Sequence, residues 1–166
     1  MKILIAYATK TGTTKECAML LADEFHQHEV EIIDLSLSSP CISKYDIAIV
    51  GGSIRMGKLD KRVYNFLQEN KSTLDKTKTA YFICNGLNED NNVREYFKKC
   101  FPSGLIESAV IYDSFGGEFK VEKQKGLDKF IVKMILKANE ENDEFEKPNI
   151  LTEAIGRFAD KIKDYQ

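Results

Sequence analysis

The sequence predicts an α/β protein, a three-layer sandwich in which a five-stranded parallel sheet carries helices on both faces. Three observations predict it. Short, nearly continuous apolar runs recur along the chain, as strands buried on both faces require. Between them lie segments whose apolar residues fall at helical spacing. The two patterns alternate strictly up to residue 112, and that alternation marks parallel strands joined by crossover helices.

Residues 2–8 form the first apolar run and the first strand. A helix follows over 13–28, where Cys17, Leu21 and Phe25 are four apart and Ala18 and Ala22 lie beside them. Residues 30–35 read as the second strand, ending before the loop around Pro40. The third strand is 47–50, closed by Gly51 and Gly52. Asp60 is placed to cap a helix carrying Val63, Phe66 and Leu67. Residues 79–84 read as the fourth strand, 92–100 as a short helix and 106–112 as the fifth strand. Ile155, Phe158, Ala159 and Ile162 mark a terminal helix.

Residues 114–149 break this rhythm, being too long for a plain connection. They read as an insertion before the last helix of a single domain spanning 1–166. Within them 125–139 has helical spacing. Lys125, Lys129, Lys133 and Lys137 make a basic stripe, with Leu127, Phe130, Ile131, Met134 and Ile135 on the opposite side. Val132 and Leu136 fall close to the lysines, so apolar surface wraps most of the helix. Such a helix either packs on the body with its lysines snorkelling or lies on an anionic membrane surface or a partner. The acidic run of Glu140, Glu141, Asp143, Glu144 and Glu146 follows at once and opposes deep membrane contact.

Composition excludes several classes of function. Among 166 residues, 24 Lys and Arg stand against 26 Asp and Glu, a formal net charge of -2, without the basic excess of a nucleic-acid binder. No apolar run approaches the ~20 residues of a membrane-spanning helix. The apolar run at 3–6 ends too soon for a signal peptide, which makes the expected compartment the cytoplasm. Cys17, Cys41, Cys84 and Cys100 form no C-x-x-C pair, and His26 and His28 are the only imidazoles. No metal site is expected, and free thiols fit a reducing compartment.

In a sheet of this kind ligands bind beyond the carboxyl ends of the strands. The loop after the first strand reads Thr9-Lys10-Thr11-Gly12-Thr13-Thr14 and runs straight into a helix. Helix N-termini present unpaired N–H groups and partial positive charge, which suits a phosphate. Gly12 lets the backbone approach an anion, and the threonines add neutral donors. Neither the nucleoside-triphosphate loop nor the dinucleotide fingerprint is met. A phosphoacceptor aspartate after the third strand is also missing, since Gly51-Gly52-Ser53 stands there.

The T-x-T-G-x-T pattern directly after an N-terminal strand resembles the phosphate loop of flavodoxins. That resemblance implies the flavodoxin-like strand order 2-1-3-4-5 and FMN as a noncovalent cofactor. Thr9, Thr11 and Thr14 would give hydroxyls to its phosphate, with backbone N–H groups from Lys10, Thr11, Gly12, Thr13 and Thr14. The resemblance also implies a loop against the flavin ring at Ser53, Ile54, Arg55, Met56 and Gly57, and a second at Asn85, Gly86 and Leu87. Met56 and Leu87 stand where flavodoxins commonly place aromatics. Arg55 and Lys58 stand where flavodoxins commonly place carboxylates, and cations there would favour the reduced, anionic ring.

The Ser-Ile-Arg-x-Gly stretch at 53–57, with the run Phe130-Ile131-Val132-Lys133-Met134-Ile135-Leu136-Lys137, resembles the menaquinone-dependent protoporphyrinogen IX dehydrogenases. These are FMN-dependent flavodoxin-fold enzymes of haem synthesis with an insertion in this region. Ahead of that helix, Phe119-Lys120-Val121-Glu122-Lys123-Gln124-Lys125 has one aromatic and no arginine, where that group often carries several. Two roles follow as expectations. One is a flavin redox protein serving a partner protein. The other is an oxidoreductase passing electrons to a small molecule or quinone, with the helix at 125–139 touching the inner membrane face. In either role the chemistry is the cofactor's, and no side chain is expected to act as acid, base or nucleophile.

Overall fold

In the computed structural model the described residues are 1–85, 93–140, 142 and 148–165. The sheet is built from β1 (Lys2–Ala8), β2 (Glu29–Asp34), β3 (Ile47–Arg55), β4 (Lys58–Leu59), β5 (Lys78–Cys84) and β6 (Ile111–Ser114). Its order is β2-β1-β3-β5-β6, with every neighbour parallel, and β4 pairs antiparallel with β3. Without that short hairpin strand this is the expected five-stranded order 2-1-3-4-5.

Alternation along β1 sends its side chains to two cores. Leu4, Ala6 and Ala8 face a cluster completed by α2 (Lys61–Glu69) and α4 (Val93–Cys100), including Val63, Leu67 and Phe97. Ile3, Ile5 and Tyr7 face α1 (Thr13–Asp23) and the last helix, α6 (Thr152–Lys163), meeting Leu21, Phe158 and Ile162. Here Phe115 stacks on Phe82 at 4.6 Å between centroids and meets Phe158 edge-on at 5.1 Å. Cys17 and Cys84 are buried free thiols in this second core.

Several elements differ from the sequence reading. The third strand does not stop at Gly51-Gly52 but runs through both glycines to Arg55. They are inside the strand because large neighbours cross them. A Cβ on Gly51 would run into the Phe82 ring, and one on Gly52 would lie 2.9 Å from Leu59 Cδ1 and 3.0 Å from Val63 Cγ2. The first helix ends at Asp23, and the turn to His28 buries Phe25 without continuing the helix. The fifth strand begins at Ile111, because Leu105 and Ile106 go into the core from a turn and pairing with β5 starts at Ala80–Ile111. A short helix, α3 (Lys71–Leu74), has no counterpart in the sequence reading.

The segment 53–58 is a hairpin and not an open loop. Arg55 faces Lys58 and Ile54 faces Leu59, leaving Met56 and Gly57 as a two-residue turn. Both have positive φ, 49° and 70°, the combination that a tight right-twisted hairpin turn demands. Gly57 tolerates this freely, whereas Met56 holds it at the exposed tip.

After β6 the chain leaves the sheet and returns to it. An antiparallel bridge joins Gly116 to Ile150, Gly117 N donates to Asn149 O, and Leu151 N donates to Phe115 O. A side chain on Gly116 would collide with the Asn149 carbonyl, so the close approach requires glycine. Between these pinned ends lies α5 (Gly126–Ala138). Its orientation corrects the expected faces. Val132, placed beside the lysines in the sequence reading, is the buried residue, while Leu127, Phe130 and Met134 are 66%, 61% and 56% exposed. The inner edge is instead Asp128, Ile131, Val132 and Ile135, because that edge closes over a cavity.

Candidate functional site

The cavity opens at the carboxyl ends of β1, β3 and β5, where the sheet reverses its winding. Its volume is about 320 Å³, within the range of small-molecule sites. One wall is the loop from β1 into α1. Gly12 caps α1 in the left-handed conformation, φ 95°, and no side chain caps the helix end. The Gly12 N–H donates to Thr9 Oγ1 over 2.9 Å, closing the loop on itself. Thr13 and Thr14 are buried at the start of the helix.

Two hydroxyls of this site lack a partner. Thr13 Oγ1 and Ser53 Oγ are buried and make no hydrogen bond. Buried hydroxyls are normally paired, and leaving one unpaired costs on the order of 1–3 kcal/mol. Both residues line the cavity. An anionic oxygen there would satisfy donors that the fold itself leaves open.

Arg62 supports the loop from behind. Its guanidinium donates to Thr9 O over 3.1 Å and to both oxygens of Asp60 over 2.9 and 2.8 Å. Asp60 also accepts from the Arg62 amide over 3.0 Å, capping α2 as expected. Burial alone would raise the Asp60 carboxyl. The Arg62 side-chain and amide bonds, with the nearby Arg62 and Lys10 charges, hold it below the usual carboxylate value.

The second wall is the hairpin, from which Arg55 reaches across the opening. Nη1 donates over 2.9 Å to Gln124 Oε1 and over 2.9 Å to Asp128 Oδ2, and Nη2 approaches Thr11 Oγ1 at 3.4 Å. One guanidinium thereby ties the phosphate-type loop, the hairpin and the start of α5 together. Lys120 makes a second tie, to Glu16 on α1 at 2.8 Å and to Glu118 at 3.0 Å. Phe119, Ile131, Val132 and Ile135 supply an apolar roof. Tyr96 closes the far side.

Cys84 and Cys100 are not poised for chemistry. Its hydrogen bond with Cys17, followed by burial, pushes the Cys84 thiol up, and burial pushes Cys100 up. Both stay neutral near pH 7 and are poor nucleophiles. Among the described residues no cluster of three metal-ligating side chains occurs, and no helix is long and apolar enough to cross a membrane.

Of the residues singled out from sequence, Thr9, Thr11, Thr13, Thr14, Ser53, Ile54, Arg55, Met56, Gly57 and Asn85 come together on this cavity. Gly12 forms the bend of the loop, and Lys10 lines a groove outside it. Gly86 and Leu87 lie outside the described residues. Lys58 borders that groove and not the cavity. The sequence reading missed Arg62, Gln124, Asp128, Tyr96 and the apolar roof as contributors. The only local signal for any of them was the amphipathic pattern of α5, which does not say what the helix covers.

A parallel sheet of this order, with a threonine-rich loop at its switch point, defines a flavodoxin-like protein. The sequence model described as Flavodoxin domain matches residues 4–146, and the chain belongs to that family. It is 24% identical to the protoporphyrinogen IX dehydrogenase [quinone] of Escherichia coli K12, over 98% of this chain and 94% of that protein. Among solved structures it resembles the flavodoxin of Streptococcus pneumoniae TIGR4, with TM-score 0.57 and 15% identity over 100% of both chains. It also resembles a Lactobacillus acidophilus flavoprotein in complex with FMN, with TM-score 0.51 and 17% identity over 68% of this chain and 92% of that one. The chain spans 37% of the flavodiiron core of Flv1 from Synechocystis, with 17% identity over 100% of this chain and TM-score 0.54.

Proposed function

We propose that this protein binds FMN noncovalently and transfers electrons through it. The observation that carries the reading is the unpaired, buried Thr13 hydroxyl at the uncapped start of α1, on a cavity walled by three strand ends. A phosphate suits that position by charge and by hydrogen bonding. The FMN complex of the Lactobacillus acidophilus flavoprotein, which has the same fold, supports the choice of cofactor.

In this reading Thr9, Thr11, Thr13 and Thr14 hold the phosphate, with backbone N–H groups from 10–14. Ser53 to Gly57 and Asn85 to Leu87 flank the ring. When bound, FMN supplies one- and two-electron redox chemistry. The chain orients it, excludes water beneath Phe119, Ile131, Val132 and Ile135, and keeps Arg55 balanced by Asp128 near the phosphate. That pairing weakens the expected effect of Arg55 on the ring, because its charge is already met.

A second reading deepens the first: a dehydrogenase of the protoporphyrinogen type that passes electrons to a quinone. Its support is the full-length match to the Escherichia coli enzyme and the roof formed by the extra helix. The exposed Leu127, Phe130 and Met134, flanked by Lys133 and Lys137, form an amphipathic face suited to an anionic bilayer surface. The electron acceptor is then a membrane quinone, and in the first reading a partner protein.

The test is anaerobic. FMN-loaded protein is reduced with dithionite, desalted and mixed with a soluble quinone. Retained flavin whose visible absorbance returns on mixing supports a quinone-linked redox protein. Flavin lost on desalting contradicts the cofactor reading. Sedimentation with anionic vesicles at low salt separates the roles, since a quinone-linked enzyme pellets, a carrier stays in solution, and Phe130→Ser should release the former.

A further inference from the structure

Adjoining the cavity, and sharing Arg55 and Asp128 with it, lies a groove of about 810 Å³. It meets the cavity at Thr9 and Thr11, and its walls are the hairpin, the start of α2 and the segment leading into α5. Seven cationic side chains line it against two carboxylates, an excess of five positive charges in a chain whose net charge is -2. Such concentration focuses a positive potential on one concavity.

The cations are of two kinds. Arg55 and Arg62 already hold Asp128 and Asp60. Lys10, Lys58, Lys61, Lys123 and Lys125 enter no ion pair among the described residues. Lys123 Nζ reaches over the phosphate-type loop, 3.6 Å from where a Cβ on Gly12 would stand. A bound FMN phosphate would neutralise about two charges and leave about three unanswered. One flavin phosphate therefore does not account for the groove.

We propose that the lysines of this groove form a second anion site, taking a small molecule that bears a diphosphate, beside the flavin phosphate and continuous with the flavin site. The free cations decide the class. Carboxylates are best met by the planar, two-pronged guanidinium, and both arginines here are already engaged. Lysines act as mobile point charges and suit the many oxygens of a diphosphate. The proposal rests on the flavin reading only for the charge of the neighbouring phosphate.

The experiment is calorimetric titration of inorganic pyrophosphate into the FMN-loaded protein at low salt, repeated with Lys61→Gln/Lys125→Gln. These two exposed lysines stand on opposite walls and outside the flavin site. The expected result is one saturable site, weakened about tenfold in the double variant, with FMN affinity unchanged. Pyrophosphate that binds only the FMN-free protein overturns the proposal, because it then occupies the flavin phosphate loop. Equal binding by the double variant, or citrate binding as tightly as pyrophosphate, overturns it as well. An FMN titration on the same samples separates the two readings: pyrophosphate binding that the double variant weakens, with no FMN binding, sinks the flavin reading and leaves the groove standing.

Discussion

Arg55 and Asp128 stand 73 positions apart, yet Arg55 Nη1 donates to the Asp128 carboxylate over 2.9 Å and fastens the start of α5 to the hairpin tip. Both side chains are partly exposed, so the pair contributes on the order of 1 kcal/mol at most. Asp128→Asn should leave global stability almost unchanged. Amide exchange in α5 should rise about fivefold, read by hydrogen–deuterium exchange with mass spectrometry. Unchanged exchange would mean that Lys120 and the apolar roof hold the helix without this pair.

Thr13 offers a test in which stability and binding part company. Its hydroxyl has no partner within the protein, so Thr13→Val removes no hydrogen bond from the FMN-free fold. The denaturation midpoint should hold or rise slightly. FMN affinity should fall about tenfold, as expected for one hydrogen bond to a charged group. A variant that loses stability and keeps affinity would show that the hydroxyl serves the fold.

Gly51 lies where the Phe82 ring crosses β3. Gly51→Ala forces ring and strand apart, and overpacking of this kind costs about 3 kcal/mol. Urea denaturation should show it as a lower midpoint at unchanged slope. The same substitution at Gly57, where nothing stands in the way of a Cβ, should act only through its positive φ.

Asp60 links pH to stability. Its folded-state pKa lies below the ordinary value of 3.8, so its contribution is fully present above that value. It is lost as pH falls through the lower folded value. Asp60→Asn should be less stable than the parent by about 1–2 kcal/mol at pH 7. Denaturation curves at pH 7 and below pH 3 should show that gap narrowing as the parent carboxylate takes up its proton.

The sheet could be read from sequence because buried strands and amphipathic helices each leave a local period, and β1 and β5 were placed to within a residue. The phosphate-type loop could be read because its strand, glycine and threonines are contiguous. Gly51 and Gly52 misled because a glycine pair that ends a strand and one that makes room for Phe82 look alike until the neighbour is known. The start of β6 misled because Leu105 and Ile106 are apolar for a turn packed into the core. Arg55, Gln124 and Asp128 meet only through tertiary folding, and no spacing announces it. The faces of α5 were misassigned for the same reason, since apolar residues on every side leave its orientation to the cavity beneath.

The most direct measurement compares FMN with riboflavin by fluorescence quenching against the purified protein. The two ligands share the ring and differ in the phosphate that the loop at 9–14 is proposed to hold. FMN should bind one per chain and at least about a hundredfold more tightly than riboflavin, as several charge-assisted hydrogen bonds imply. Equal affinity for the two, or no quenching by FMN, would contradict the phosphate loop and the flavin function built on it.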